Sequence, residues 1–280
     1  MTVKDLRLLF ETKLSGMYPE EEVRNFRVLL VEEYLSLSGP QAVLEAAKKL
    51  TESEENRFNK AIQALKNHIP VQHVIGHTKF FELPFKVTND TLIPRPETEE
   101  LVAWILESTN EHFSLLDIGT GTGCIPISIA YNKPKAKVTA IDVSENALQV
   151  ARQNASYNHV SIDFITQDIL EATTLPSAYD VVVSNPPYIR ELEKQEIQPN
   201  VLDHEPHLAL FVSDEDPLLF YRQIAQLAKS RLKTGGYLFF EINEYLGQDT
   251  VILLKLTGFK TVELRKDMYG KDRMIRASLD

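Results

Sequence analysis

The spacing of apolar and polar residues along this chain changes twice. Through residue 69, apolar side chains recur at three- and four-residue steps, as at Leu6, Leu9, Phe10 and Leu14, which predicts amphipathic helices over 5–14, 20–37, 41–50 and 53–68. Pro19, Gly39-Pro40 and the polar run 51–53 punctuate them, and the last two supply helix-start signals. The result is a small helical bundle, with Phe26, Leu30, Tyr34 and Phe58 in its core. Glu20-Glu21-Glu22 reads as a solvated first turn favoured by the helix dipole. Over 70–92 the rhythm shortens: Val71, Val74-Ile75-Gly76, Phe80-Phe81, Leu83, Phe85 and Val87, around Asn89-Asp90, predict a β-hairpin joining two domains.

From residue 93 strands and helices alternate. A helix over 97–108, with Leu101, Val102 and Ile105 on one face, precedes strands near 114–118, 137–141, 161–165, 179–184, 237–242, 259–265 and 273–278. Helices intervene near 124–131, 144–156, 217–232 and 247–257. This is the pattern of an α/β fold with a doubly wound, mostly parallel seven-stranded sheet, which takes ligands at the carboxyl ends of its strands. The last two strands lack a full helix between them and are expected to pair antiparallel. The expected organisation is a bundle over 1–69, a hairpin linker over 70–92 and a sheet domain over 93–280.

Composition narrows the class. The chain has 280 residues, 43% of them hydrophobic, and no apolar run suited to spanning a bilayer, so a two-domain globular protein that is not membrane-bound is expected. Met1-Thr-Val-Lys-Asp-Leu-Arg7 lacks a secretory pattern and Cys124 is the single cysteine, which together point to the cytoplasm. Cys124 reads as a small helix residue with no histidine paired to it. Residues 1–92 carry 12 Lys+Arg and 13 Asp+Glu, leaving 18 and 27 for residues 93–280, so nearly all of the net charge of −10 lies in the sheet domain. Such an acidic domain argues against direct nucleic-acid binding and suits a basic protein partner.

The chemistry is written at the strand ends. Leu115-Leu116-Asp117-Ile118 runs into Gly119-Thr120-Gly121-Thr122-Gly123, whose alternate glycines let a ligand approach the backbone at a helix start. The spacing is not that of a dinucleotide loop, and no Gly-Lys-Ser/Thr follows. Asp142 ends the next strand, nineteen positions after Gly123, where a carboxylate can accept from both hydroxyls of a ribose; a helix-cap role competes. Asp168 follows the third strand, placed for an adenine amino group with Ile169 beside the ring. The fourth strand ends in Asn185-Pro186-Pro187-Tyr188. Proline fixes φ and stiffens the residue before it, so the Asn185 side-chain oxygen and the Pro186 carbonyl become a rigid pair of acceptors for an NH2 group. The ordered series describes an adenosine-shaped pocket facing an amino-group site.

That series resembles the S-adenosylmethionine-dependent amino-methyltransferases, which include DNA adenine and cytosine methylases. More narrowly, Leu92-Ile-Pro-Arg-Pro-Glu-Thr-Glu99, Asp117 to Ile125, Val183 to Ile189, and Glu205-Pro206 with Leu208-Ala-Leu210 are similar to the peptide chain release factor glutamine N5-methyltransferases, over almost the whole chain. The resemblance implies methyl transfer from S-adenosyl-L-methionine, leaving S-adenosyl-L-homocysteine, to the glutamine amide of the Gly-Gly-Gln tripeptide in class I release factors, with no metal. It implies that Asn185, Pro186, Pro187 and Tyr188 hold that side chain, with Asn185, Pro186 and Tyr188 catalytic and Tyr188 packed on the flat amide. Gly119, Thr120, Gly121, Thr122, Gly123, Asp142, Asp168, Ile169 and Asn185 are implied as cofactor contacts, and the helical domain as the partner-recognition element. Arg95 and Glu99 are expected to shape the cofactor pocket or to serve as surface ion-pair partners.

Phe211 to Pro217 lacks expected glycines and Glu241 to Gln248 is longer than the family's Glu-Ile-Gly version, which bears on the outer substrate wall. Residues 189–216 have loop composition and read as that wall or as a lid ordered by the partner. His68, His73 and His77 have no Cys or paired carboxylate at ligand spacing, and in Asp203-His204-Glu205-Pro206-His207 the Glu-Pro pair is accounted for by the resemblance, so neither cluster is read as a metal site. A base amino-methyltransferase acting on adenine, a ribosomal-protein glutamine as substrate, and a non-catalytic adenosyl-binding module are the alternatives.

Overall fold

A computed structural model describes residues 1–280. The chain opens with α1 (Asp5–Leu14), α2 (Glu20–Leu35), α3 (Gly39–Leu44), α4 (Glu52–Lys66) and α5 (Val71–Ile75), then β1 (His77–Phe80) and β2 (Leu83–Lys86). It continues through α6 (Pro96–Ser108), β3 (Ser114–Ile118), α7 (Cys124–Asn132), β4 (Lys137–Asp142), α8 (Glu145–Tyr157), β5 (Asp163–Thr166) and β6 (Tyr179–Ser184). The short β7 (Ile189–Arg190), α9 (Pro199–Leu202), α10 (His207–Leu210) and β8 (Phe211–Val212) lead to α11 (Leu219–Arg231), β9 (Leu232–Glu241), α12 (Gly247–Thr257), β10 (Thr261–Lys266) and β11 (Asp272–Ser278). Two compact units result: Met1–Gly76 with Gln198–His204, and His77–Ile197 with Glu205–Asp280.

In the first unit, Leu6, Phe10, Leu14, Phe26, Leu30 and Phe58 form the buried centre. Phe10 and Tyr34 pack edge-to-face with Phe58, their ring centroids 6.3 and 5.2 Å from its own. A capping box starts α4: Glu54 N donates to Thr51 Oγ1 at 3.2 Å and Thr51 N donates to Glu54 Oε2 at 2.7 Å. The third helix is shorter than the predicted 41–50 because the chain there pairs with the N-terminus instead. Val3 N donates to the Lys48 carbonyl at 3.1 Å and Leu50 N to the Met1 carbonyl at 3.0 Å, which buries Leu50. Residues 71–75 are helical rather than part of a hairpin, entered after Pro70 and stopped by Gly76 at φ 89°.

In the second unit the hairpin is confined to β1 and β2 and turns at Phe81 and Glu82, not at Asn89-Asp90. Both turn residues have positive φ, 48° and 63°, with no glycine or asparagine to ease them. Phe81 N donates to Glu99 Oε1 at 2.9 Å, so Glu99 ties this turn to α6 and is not in the lining of the cavity at the sheet edge.

The main sheet has seven strands in the order β10-β11-β9-β6-β3-β4-β5, parallel except where β11 pairs antiparallel with β9 and β10. Its central strands are apolar runs because both faces are covered. Leu115, Val181, Val183 and Phe239 pack on one side with Leu101 and Ile127; Leu116, Val182, Leu238 and Phe240 pack on the other with Tyr221 and Ile224. From β3 the chain winds outward through β4 and β5, then returns to place β6 against the other edge of β3. The carboxyl ends of β3 and β6 therefore flank a topological switch point, where an open α/β sheet leaves a crevice.

Residues 189–216 are more ordered than their loop composition suggests. Ile189↔Phe211 and Arg190↔Val212 pair in parallel, and the Glu193 carboxylate accepts from Arg190 N at 2.8 Å and from Asn243 Nδ2 at 2.9 Å. The charges that made the segment look solvated are used to fix it.

Candidate active site

A cavity of about 210 Å³ opens at the switch point. Its polar rim is made by Gly119, Gly121, Asp142, Asp168 and Asn185, and its apolar walls include Ile118, Ile141, Ile169, Leu208, Phe220 and Ile224. Pro186 and Pro187 lie at the same mouth. Most residues singled out in the sequence thus meet along one crevice. Thr120, Thr122, Gly123 and Tyr188 are not part of its lining.

The glycine loop owes its shape to positive φ at Gly119, Gly121 and Gly123, of 75°, 54° and 80°. A Cβ at Gly119 or Gly121 would meet no atom within 4 Å, whereas at Gly123 it would lie 2.9 Å from Ile127 Cδ1 and 3.2 Å from Ala151 Cβ. The first two glycines leave room for a ligand; the third lets α7 pack on α8. Gly119 N and Thr120 N both donate to the Ile141 carbonyl, at 2.9 and 3.1 Å, and Gly121 N donates to Asp142 Oδ2 at 2.9 Å. Those N–H groups anchor the loop to β4 and are not aimed into the cavity, so the loop is no phosphate cradle. Thr122 contributes its carbonyl, which accepts from Asn154 Nδ2 at 2.9 Å.

Asp142 also accepts from Ser144 N at 2.9 Å, while Ser144 itself caps α8 through Ala147 N. Burial raises the Asp142 carboxyl and these N–H bonds offset part of the rise. Asp168 Oδ1 accepts from Leu170 N at 2.8 Å in an Asx turn. Beneath the loop, Asp117 is buried with neither oxygen in a hydrogen bond of good geometry, and burial pushes its carboxyl up to about 7. The nearby Thr120 hydroxyl lowers it somewhat and the Asp142 charge adds to the rise. The Cys124 thiol is pushed up to about 12 by burial, which keeps it neutral and unreactive.

At the β6 tip the Asn185 side-chain NH2 donates to Thr98 Oγ1 at 3.5 Å. Thr98 Oγ1 donates to Glu241 Oε2 at 2.6 Å, and the Tyr188 hydroxyl donates to Glu241 Oε1 at 3.1 Å. Tyr188 is half-buried, its hydroxyl raised by burial and by the Glu241 charge. Thr98 and Glu241 are fully buried members of this site that sequence reasoning missed. Their one sequence signal was a lone carboxylate closing the apolar strand Tyr237–Phe240. Arg95 pairs with buried Glu205 at 2.6 Å.

The donor set fits an adenosyl sulfonium. The cavity lining carries the carboxylates Asp90, Asp142 and Asp168 and no Lys, Arg or His, which suits hydroxyl, amino and cationic groups and disfavours phosphate.

Comparison with known proteins agrees with the geometry. Residues 98–207 match the family model described as the methyltransferase small domain, and residues 6–76 match the PrmC N-terminal domain. The chain is 47% identical to a release factor glutamine methyltransferase of Flavobacterium psychrophilum, across 99% of both chains. It is 42% identical to the Bacteroides thetaiotaomicron protein of that description, across 95% of this chain and 96% of the other. Among solved structures, the hMettl16 catalytic domain in complex with MAT2A 3'UTR hairpin 1 superposes with a TM-score of 0.60 at 14% identity over 90% of each chain. A methyltransferase from Pyrococcus furiosus gives 0.53 at 19% identity over 78% of this chain and 96% of the other, and both likenesses are of fold alone. With a match to the PrmC N-terminal domain and 47% identity across nearly the full length of a relative, the chain belongs to the release factor glutamine methyltransferase family.

Proposed function

We propose that this enzyme transfers a methyl group from S-adenosyl-L-methionine to the side-chain amide nitrogen of the glutamine in the Gly-Gly-Gln tripeptide of class I release factors, with no metal. The observation that carries the reading is the meeting of Gly119, Gly121, Asp142 and Asp168 with Asn185 and Pro186 on one cavity. The adenosyl group would be held by Asp142 at the ribose, Asp168 with Ile169 at the adenine, and Gly119 and Gly121 at the open backbone. When bound, the cofactor supplies an activated methyl on a sulfonium.

An amide nitrogen is a poor nucleophile because its lone pair is delocalised into the carbonyl. Asn185 Oδ1 and the Pro186 carbonyl accept from the two N–H groups of the glutamine, orient its nitrogen, and favour the positive charge that develops there, which is discharged as one of those protons leaves along its acceptor to water. Alignment of this kind can account for roughly 7–11 kcal/mol of barrier. Tyr188 stiffens the wall behind the amide through its bond to Glu241. The helical first unit, which carries the match to the PrmC N-terminal domain, is assigned to partner recognition, and the partner-binding wall to the ordered segment after Tyr188.

The test offers labelled S-adenosyl-L-methionine with a class I release factor, the same factor with Gln→Ala in its Gly-Gly-Gln, and oligonucleotides. Label is expected on the intact factor only. Label confined to the oligonucleotides overturns the proposal.

A further inference from the structure

We propose that Thr98 and Glu241 are positioning residues that set the polarity of the active site, by forcing the Asn185 amide to present its oxygen rather than its NH2 to the substrate. The inference rests on the amide-methylation reading and adds a reason why the site selects an amide.

An Asn side chain is nearly symmetric in shape, and a rotation of half a turn exchanges acceptor for donor. With the oxygen outward, the site accepts from an NH2 group; with the NH2 outward it would bind a carboxylate or a carbonyl. Nothing in Asn185 itself decides between these states. The decision comes from behind it. Glu241 closes β9 with its side chain wholly buried, and an ionised carboxylate can only accept. The hydroxyls of Thr98 and Tyr188, at 2.6 and 3.1 Å, must therefore both point their protons at it. Thr98 Oγ1 is left with lone pairs only, and its remaining neighbour is Asn185 Nδ2 at 3.5 Å. The amide NH2 is drawn inward and Oδ1 turns to the cavity mouth.

The two hydroxyls that reach Glu241, at 2.6 and 3.1 Å, and the charge of Arg273 favour its ionised, accepting form against the cost of burial, which they offset only in part. Burial pushes its carboxyl up and Glu97 adds to that, while the Thr98 hydroxyl, the positive charge of Arg273 and the Tyr188 hydroxyl act in the opposite direction. Arg273 is itself held by Asp267 at 3.0 Å, on the loop between β10 and β11. A buried carboxylate with no direct ion pair is costly to retain, and a neutral residue of that shape would fill the same volume more cheaply. Its presence behind Asn185 is accounted for by the one property a neutral side chain of that shape lacks, acceptance at both ends.

The experiment compares wild type, Thr98→Val, Thr98→Ser and Glu241→Gln in the full-length enzyme. Readouts are kcat on a release factor, cofactor Kd by calorimetry, and inhibition by a factor carrying Gly-Gly-Glu in place of Gly-Gly-Gln. Thr98→Val keeps the side-chain shape and removes the acceptor; its kcat is expected to fall on the order of 10²-fold, with cofactor Kd unchanged. Once the amide can turn, the Gly-Gly-Glu factor is expected to inhibit roughly tenfold more strongly relative to wild type, since a carboxylate then meets an NH2. Thr98→Ser restores both measures, and Glu241→Gln, isosteric with the native residue, shifts them in the same direction by less. A purely structural role would lower kcat and leave the Gln/Glu discrimination where it was. If wild type labels the factor while Thr98→Val and Glu241→Gln keep normal kcat and discrimination, amide methylation stands and the polarity proposal falls. A wild-type enzyme that leaves the factor unlabelled overturns the functional reading itself.

Discussion

Glu205 and Arg95 are 110 positions apart in the chain, and Glu205 Oε1 accepts from the Arg95 guanidinium at 2.6 Å while its Oε2 accepts from Ile93 N at 3.1 Å. The Glu205 side chain is 1% exposed and that of Arg95 31%. This carboxylate fixes the segment entering α6 against the turn before α10, and Thr91, Leu92 and Pro206 from the two sides line the cavity. Removing it leaves a buried N–H and a half-buried cation without a partner. Glu205→Ala is expected to lower stability by about 2–3 kcal/mol, softened by the exposure of Arg95, and to weaken cofactor binding. Urea denaturation with calorimetric titration checks both.

Asn185→Ala removes the side-chain acceptor at the β6 tip and leaves Gly119, Gly121, Asp142 and Asp168 in place. Turnover is expected to fall by at least about 10²–10³-fold with cofactor affinity little changed. Normal kcat in this variant would end the assignment of Asn185 as the amide-holding residue.

The three loop glycines should answer differently to alanine. At Gly123 the new methyl meets Ile127 and Ala151 at 2.9 and 3.2 Å with φ at 80°, so overpacking and backbone strain add to about 2–4 kcal/mol. At Gly121, φ is 54° and the space is open, so the free protein should lose only about 1–2 kcal/mol. The open space is where the proposed cofactor would lie, however, and Gly121→Ala should then weaken cofactor binding more than it weakens the fold. Melting temperatures with and without cofactor distinguish the two positions.

Asp117 gives a pH signature. Its carboxyl sits at about 7 in the folded chain against 3.8 when unfolded, so the folded state keeps a proton that the unfolded chain releases. The stability this contributes is complete below pH 4 and is lost as pH rises through 7. Relative to Asp117→Asn, the wild type should lose up to about 4 kcal/mol between pH 4 and 8. Melting temperature against pH, for both proteins without cofactor, is the measurement; parallel curves would show that the Asp117 carboxyl does not titrate in this range.

The legible parts of this protein were those written in contiguous residues. The strands carrying Leu115-Leu116, Val181 to Val183 and Phe239-Phe240 are unbroken apolar runs because both sheet faces are covered, and their ends named the cavity. The two-residue turn at Phe81 and Glu82 carried no such signal: two residues poorly suited to positive φ are held there by the hairpin, with Glu99 bonded to Phe81 N. Thr98 was equally silent, a threonine in the first turn of a helix that acquires meaning only when Glu241, 143 positions later, is brought to 2.6 Å. Asp203 to His207 is rich in potential metal ligands but does not read as a metal site. In the fold Glu205 is engaged by Arg95, and His204 Nε2 is hydrogen-bonded with the Asn67 carbonyl at 2.9 Å.

The anchoring of Gly119, Thr120 and Gly121 to β4 has a consequence for life among abundant nucleotides. ATP shares the adenosine half of the methyl donor, but its triphosphate would arrive at a mouth of carboxylates that offers no cationic side chain. The nucleotide pool should therefore compete weakly for this cavity, leaving its occupancy to the supply of methyl donor.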